Sequence, residues 1–255
     1  MEERYSRNRI YVSKNEQQLI KNTTILLGGA GIGSIIAECA LRFGFENIRI
    51  VDGDKVEISN LNRQNYTEAD LGQYKAECLS KRLLSINPQA KISFHNFFIN
   101  ENNVENLVEN HNIAINALDF NSDIPFVFDN LCKKYNIPVL HPYNFGWAGF
   151  LTVINPQGPS LEQLTTNPEG FELQMAEHVL KYGSSKNKQK NWLKQAITEY
   201  KNETNRLSPP QLSIGAWITA GLCVNVLYNL ATNKNIVFFP QFYLSSIHCT
   251  YHNNL

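Results

Sequence analysis

The sequence predicts an α/β fold: a mainly parallel sheet with helices on both faces and antiparallel strands at the C-terminal end. Three observations carry that expectation. Short β-branched runs alternate with stretches of helical periodicity over residues 20–145. A cluster of glycines (Gly28, Gly29, Gly31, Gly33) stands between the first such run and the first helical stretch. An acid, Asp52, closes the next run. Strand, glycine turn, helix and strand-end acid together predict a Rossmann-like sheet with ligands at the carboxyl ends of its strands.

Each element follows in order. TILLG (24–28) reads as a buried strand, and Ile35, Ile36, Cys39, Ala40 and Phe43 recur at helical spacing until Gly44. IRIVD (48–52) is a second strand, followed by a polar loop over 53–72. A helix is expected from Lys75 to Ser85, ended by Asn87-Pro88. KISFHNF (91–97), IAINALD (113–119) and IPVLHPY (137–143) read as strands three to five, with helices over 101–110 and 123–135. GFLTVINP (149–156) is a further strand. Residues 157–210 form a polar crossover, expected to be a mobile lid with helices near 169–181 and 189–203. The C-terminal part, 211–255, carries an apolar helix over 212–231 and two closing strands, 236–240 and 242–251. The whole chain, 1–255, reads as one domain.

Composition narrows the function. Lys plus Arg and Asp plus Glu are each 23 in 255 residues, so the formal charge is zero, which weighs against a protein built to grip a nucleic-acid backbone. No apolar run in the sequence approaches the roughly 18 residues of a membrane span. The charged N-terminus lacks a signal-peptide apolar stretch, and a cytoplasmic location is expected. Five cysteines (39, 78, 132, 223, 249) without a CxxC pair predict neither a disulfide framework nor a four-cysteine zinc site.

The glycine cluster suits a phosphate approaching the backbone at a helix N-terminus, with Asp52 at the distance for ribose hydroxyls. The dinucleotide pattern GxGxxG fails in both frames. Gly29-x-Gly31 puts Ser34 in the last place, and Gly28-x-Ala30 loses the middle glycine. An NAD-dependent oxidoreductase is therefore a lesser alternative.

VDGDKVEISNLNRQNY (51–66), GQYKAE (72–77), NALDF (116–120) and the opening RYSRNRI (4–10) stand in an order and spacing that resemble the ThiF/MoeB/HesA family of ubiquitin-activating-enzyme-like adenylyltransferases. The resemblance is strong over about residues 4–155 and one of layout thereafter. It implies ATP and Mg²⁺ as cofactors and a carboxylate activated as its acyl-adenylate. By the resemblance, Asn60 and Arg63 face the nucleotide, Lys75 reaches the phosphates, Asp119 orients the metal, Asp52 takes the ribose and Gly31 lets the backbone approach. Gly28 and Gly33 complete the turn, and Asp54 is near enough in sequence to contact or support the metal. Arg7 matches an arginine that crosses a homodimer into the partner's site.

Two departures accompany it. The family's GxGGxG reads GGAGIG here, tolerable if φ at Ala30 is negative. The family's zinc-binding CxxC pairs are absent, and residues 133–222 hold no cysteine, so neither a structural zinc nor a thioester step is expected unless Cys223 or Cys249 serves. The implied substrate is the C-terminus of a ubiquitin-like or sulfur-carrier protein, a peptide, a small carboxylate or a modified tRNA base. A catalytically silent scaffold is the rival from another class. His248, Cys249 and His252 are weak metal candidates, because 249 points away from the other two on a strand. Lys181, Lys186, Lys188, Lys190 and Lys194 make a basic stretch that closes on ATP or on an acidic substrate, or is merely solvated. HPYNFGWAGF (141–150) is placed to guide an incoming carboxyl tail or to serve as core.

Overall fold

Seven strands form one mixed sheet in the order β3–β2–β1–β4–β5–β6–β7 in a computed structural model that describes residues 2–165, 167–182, 191–204 and 207–247. Strands β1 (Thr24–Gly28), β2 (Asn47–Val51), β3 (Lys91–His95), β4 (Ile113–Asn116) and β5 (Val139–Asn144) are parallel. Strands β6 (Ala148–Ile154) and β7 (Tyr243–Ser246) add antiparallel pairs. The chain turns one way from β1 to β2 and the other way to β4. Gly28 pairs with both Val51 and Asn116, so three strand ends are level where the order reverses. That reversal opens a crevice for a ligand.

Strand periodicity splits the core between two faces. Ile25 and Leu27 pack with helices α2 (Ile32–Phe43), α3 (Lys75–Ile86) and α8 (Ser213–Ala231). Leu26 packs on the other face with α4 (Val104–Val108), α5 (Ile124–Lys134), α6 (Phe171–Tyr182) and α7 (Asn191–Lys201). The described parts of the 157–210 crossover thus join the second core through Phe171, Met175, Val179, Leu193 and Ile197.

Several expectations need correction. The fourth strand stops at Asn116: the Ala117 N–H to Gly28 O bond (2.8 Å) is the last of its ladder with β1, which ends there as Gly29 turns to φ +90° and leaves Leu118 and Asp119 outside the ladder. The 101–110 helix shrinks to five residues. Residues 236–240 form no strand, being tethered by the Phe239 N–H to Val153 O (2.8 Å) and lacking a donor at Pro240. Residues 248–251 of the last expected strand, with His248, Cys249 and His252, lie outside the described residues, as do Lys186, Lys188 and Lys190. Helix α8 has 19 residues and a mean hydropathy of 1.4 over its most apolar window, so one helix is long and apolar enough to cross a membrane, contrary to the sequence reading. Its Ala216, Ala220, Cys223, Val226 and Leu227 are buried against the sheet.

The N-terminal segment was not anticipated. A 3₁₀ turn (Glu3–Asn8) is anchored by Tyr5, whose hydroxyl donates to Glu46 Oε1 at 2.8 Å. Helix α1 (Lys14–Asn22) starts on a Ser13/Glu16 capping box that is visible in the sequence as S-x-x-E.

Phe171 stacks on Phe120 with centroids 4.1 Å apart and meets Phe126 edge-on, docking α6 beside the Asp119 loop. Phe171→Ala is expected to cost about 3–5 kcal/mol, read from urea unfolding midpoints. A loss below about 1 kcal/mol would show that the docking does not depend on this ring.

Candidate functional site

The glycine turn is built by opposing constraints. Gly29 has φ +90°, and a Cβ there would lie 2.3 Å from Ala117 O, so only glycine fits. Its N–H donates to Val51 O at 2.9 Å. Ala30 does not have positive φ, so the turn accommodates an alanine there. The Ala30 N–H donates to Asp52 Oδ2 (2.6 Å), and its carbonyl accepts from the Tyr66 hydroxyl (2.8 Å). Gly31 starts α2 without a side-chain cap, and the first turn carries no acid; its one hydroxyl, Ser34, donates to Gly31 O at 2.7 Å. Gly33 and Gly28 act in packing: a Cβ on Gly33 would press Leu27 Cδ1 at 2.9 Å, and one on Gly28 would meet Ile99 and Phe128.

Asp52 is buried, and its other oxygen accepts the Asp54 N–H at 2.7 Å. Burial raises its pKa, against the pull of those two N–H groups and of Lys75. The loop beyond it returns to α3 through the Lys75 N–H on Asp54 O and an ion pair from Lys75 Nζ to Asp54 Oδ2, both 2.9 Å. Asn60 shapes the turn that presents Arg63: its Oδ1 accepts the Glu57 N–H (3.0 Å), and its carbonyl accepts those of Arg63 (3.1 Å) and Gln64 (2.9 Å). The Arg63 guanidinium donates to Ser59 O, Asn62 Oδ1 and Gln211 Oε1, each at 2.8 Å.

Asp119 follows β4 on the wall of a cavity of about 140 Å³. Burial raises its pKa, while Lys75 and Arg63 pull it down and Asp54 adds to the rise. Gly31, Asp52, Asp54, Asn60, Arg63, Lys75 and Asp119 therefore gather around the ends of β1, β2 and β4. Arg7 stands apart. It is exposed in the 3₁₀ turn, whose neighbour Asn8 donates to Phe43 O at the far end of α2. Twelve residues of helix put that end about 18 Å from the glycine turn.

Residues that support the site went unremarked in the sequence. Tyr66 lies within the 51–66 motif, yet nothing local shows that its hydroxyl latches the glycine turn. Gln211 lies 148 positions from the arginine it meets. Asn116 donates to Pro125 O (2.9 Å) and Asp129 Oδ1 (2.8 Å), and Asp129 in turn faces His141 Nε2 at 2.8 and 2.9 Å, a wholly buried network behind the Asp119 loop. Near the end of β3, Asn96 Oδ1 is buried without a partner beside the segment that closes over Gly53.

Cysteine chemistry is muted. Burial raises the thiol pKa of Cys39, Cys132 and Cys223 and pushes Cys78 up to about 11. Among the described residues no group of three metal-ligating side chains occurs.

The Asp119 carboxyl gives a stability signature. Its folded pKa is raised, so ionisation disfavours the folded state: the penalty is absent below the unfolded value of about 3.9 and complete above the folded one. Solvent reaches the Asp119 side chain and screens this penalty, so Asp119→Asn is expected to melt only slightly above the parent at pH 7, the gap closing as pH falls towards about 4. A variant that melts lower at pH 7 would contradict this balance.

Comparison with known proteins follows from this geometry. A model described as the ThiF family matches residues 5–249. Among curated relatives, "Adenylyltransferase and sulfurtransferase MOCS3" of Drosophila willistoni is 32% identical over 162 residues, covering 61% of this chain and 35% of that protein. The tRNA threonylcarbamoyladenosine dehydratase of Bacillus subtilis is 31% identical over 135 residues, 52% of this chain and 50% of that one. The matched stretch thus spans half or less of either relative. Among solved structures, E. coli MccB with MccA-N7isoASN superposes with a TM-score of 0.69 at 19% identity, over 97% of this chain and 72% of that one, a likeness of fold.

Proposed function

The chain belongs to the ThiF family, and from that premise we propose that it is an ATP-dependent adenylyltransferase acting on a carboxylate. The observation that carries the proposal is the meeting of Arg63, Lys75 and Asp119 at an uncapped helix N-terminus beside Asp52.

A carboxylate is ionised at pH 7, so its attack on phosphorus needs no general base; it needs charge neutralisation and alignment. One carboxylate oxygen bonds to the α-phosphorus of ATP. The bond from that phosphorus to the oxygen bridging to the β-phosphate breaks, and pyrophosphate leaves with the electron pair. Arg63 and Lys75 balance the charge gathered on the phosphates, Asp52 binds the ribose, and the free N–H groups after Gly31 receive phosphate oxygens. Asp119, on the cavity wall with Lys75 and Arg63 acting on it, is the residue that would hold a hard cation such as Mg²⁺. Mg²⁺ held there would supply further charge neutralisation.

Arg7 is too far from its own crevice and fits a role in a homodimer partner's. The raised thiols of the four described cysteines, Cys223 among them, support direct transfer of the acyl group without a thioester. Among the relatives' names stand a sulfurtransferase, a tRNA dehydratase and a protein solved with a peptide; of these classes we take the C-terminus of a peptide or carrier protein as substrate, because zero net charge disfavours a tRNA. A cytoplasmic location agrees with this chemistry.

ATP–pyrophosphate exchange with short peptides tests the proposal. Arg63→Ala and Asp119→Ala are each expected to lower exchange roughly 10²–10³-fold. Exchange at the wild-type rate in either variant would sink it.

A further inference from the structure

Beyond Asp119 the cavity runs between the end of β5 and helices α6 and α7, and its lining is lopsided. Its walls are largely apolar. Two carboxyl groups line it, Asp119 and Glu172, and no lysine, arginine or histidine does so among the described residues. Arg63 and Lys75 act on Asp119, and among the described residues no cation pairs with Glu172. The backbone N–H groups of Phe120 and of its own residue face the Glu172 carboxyl, which keeps lone pairs to offer. Tyr143 lies in the same lining, 7% exposed, and its hydroxyl has no hydrogen-bond partner among the described residues. A buried hydroxyl left unpaired is costly, and it marks a place where a ligand group completes the bonding.

We propose that this cavity receives the side chain of the residue whose carboxylate is adenylated, and that it selects a side chain with N–H donors, amide or cationic, over a glycine or an aliphatic one. The inference rests on the adenylation reading and names the substrate class for it. The geometry is that of one substrate residue: its carboxylate at the Asp119 end, where Arg63 and Lys75 act, and its side chain directed to Glu172 and Tyr143. An amide matches both groups, donating N–H to Glu172 and accepting from the Tyr143 hydroxyl. An ammonium or guanidinium would instead neutralise Glu172 and donate to the Tyr143 oxygen. A glycine would leave about 140 Å³ unfilled and the hydroxyl unpaired. An acidic side chain would meet two carboxylates.

Binding of Nα-acetyl-glutamine, Nα-acetyl-lysine, Nα-acetyl-leucine, Nα-acetyl-glycine and Nα-acetyl-glutamate is measured by saturation-transfer NMR with a non-hydrolysable ATP analogue present, alongside pyrophosphate exchange. The glutamine or lysine compound is expected to bind at least about tenfold more tightly than the glycine, leucine and glutamate compounds. Tyr143→Phe and Glu172→Gln should each erode that preference while nucleotide affinity stays unchanged. A larger loss for lysine than for glutamine in Glu172→Gln identifies the cationic arm, and equal losses the amide arm. Equal binding of all the compounds, no binding at millimolar concentration, or a preference untouched by Tyr143→Phe overturns the subsite. Selective binding without exchange upholds the subsite and defeats adenylation, whereas exchange with unselective binding does the reverse.

Discussion

The carboxylate of Asp52 is the joint on which the crevice depends. One oxygen takes the Ala30 N–H and pins the glycine turn; the other takes the Asp54 N–H and turns the loop back towards Lys75. Asp54 then binds Lys75 through both its carbonyl and its carboxylate. Tyr66 presses on the turn from the other side, and the same hydroxyl lies 3.3 Å from the Lys75 carbonyl. A glycine turn, a helix N-terminus and a buried lysine are thereby tied to one acid. Burial raises the pKa of that acid, so the arrangement is bought with stability.

Most of this frame was legible in the sequence, for physical reasons. Parallel strands buried on both faces read as short apolar runs, and glycines at a strand–helix junction are hard to explain without a close approach. Gly29 is the clearest instance, its φ and the nearby Ala117 carbonyl admitting no side chain. Asp52 stood out by its position at a strand end. Its structural bonds to Ala30 and Asp54 did not, because they join backbone groups that look alike in every sequence.

What escaped the sequence shares one character: it depends on pairings distant along the chain. Arg63 with Gln211, Asn116 with Asp129 and His141, and Phe120 with Phe171 are set by tertiary packing and leave no local periodicity. The same reason explains the misjudged ends. The fourth strand stops early because its partner β1 ends at Gly28, where Gly29 turns away, and 236–240 remain outside the sheet because their donors go to Val153 O and the Tyr243 hydroxyl. Helix α8 was recognised as apolar, but its 19-residue length made it span-like in a way the interrupted composition concealed.

The two sides of Asp119 divide the work of the site. Towards β1 and β2 lie the cations and free N–H groups suited to phosphates. Towards α6 and α7 lies an apolar cavity with acceptor groups, suited to an organic substrate. The central claim is that a carboxylate oxygen from the second side becomes bonded to phosphorus on the first. The most direct measurement is mass spectrometry of AMP formed from ATP and a short peptide carrying ¹⁸O in its C-terminal carboxylate. The account predicts that, after the adenylate is hydrolysed or transferred, AMP carries one labelled phosphoryl oxygen. Unlabelled AMP, or ADP and labelled phosphate in its place, would contradict it.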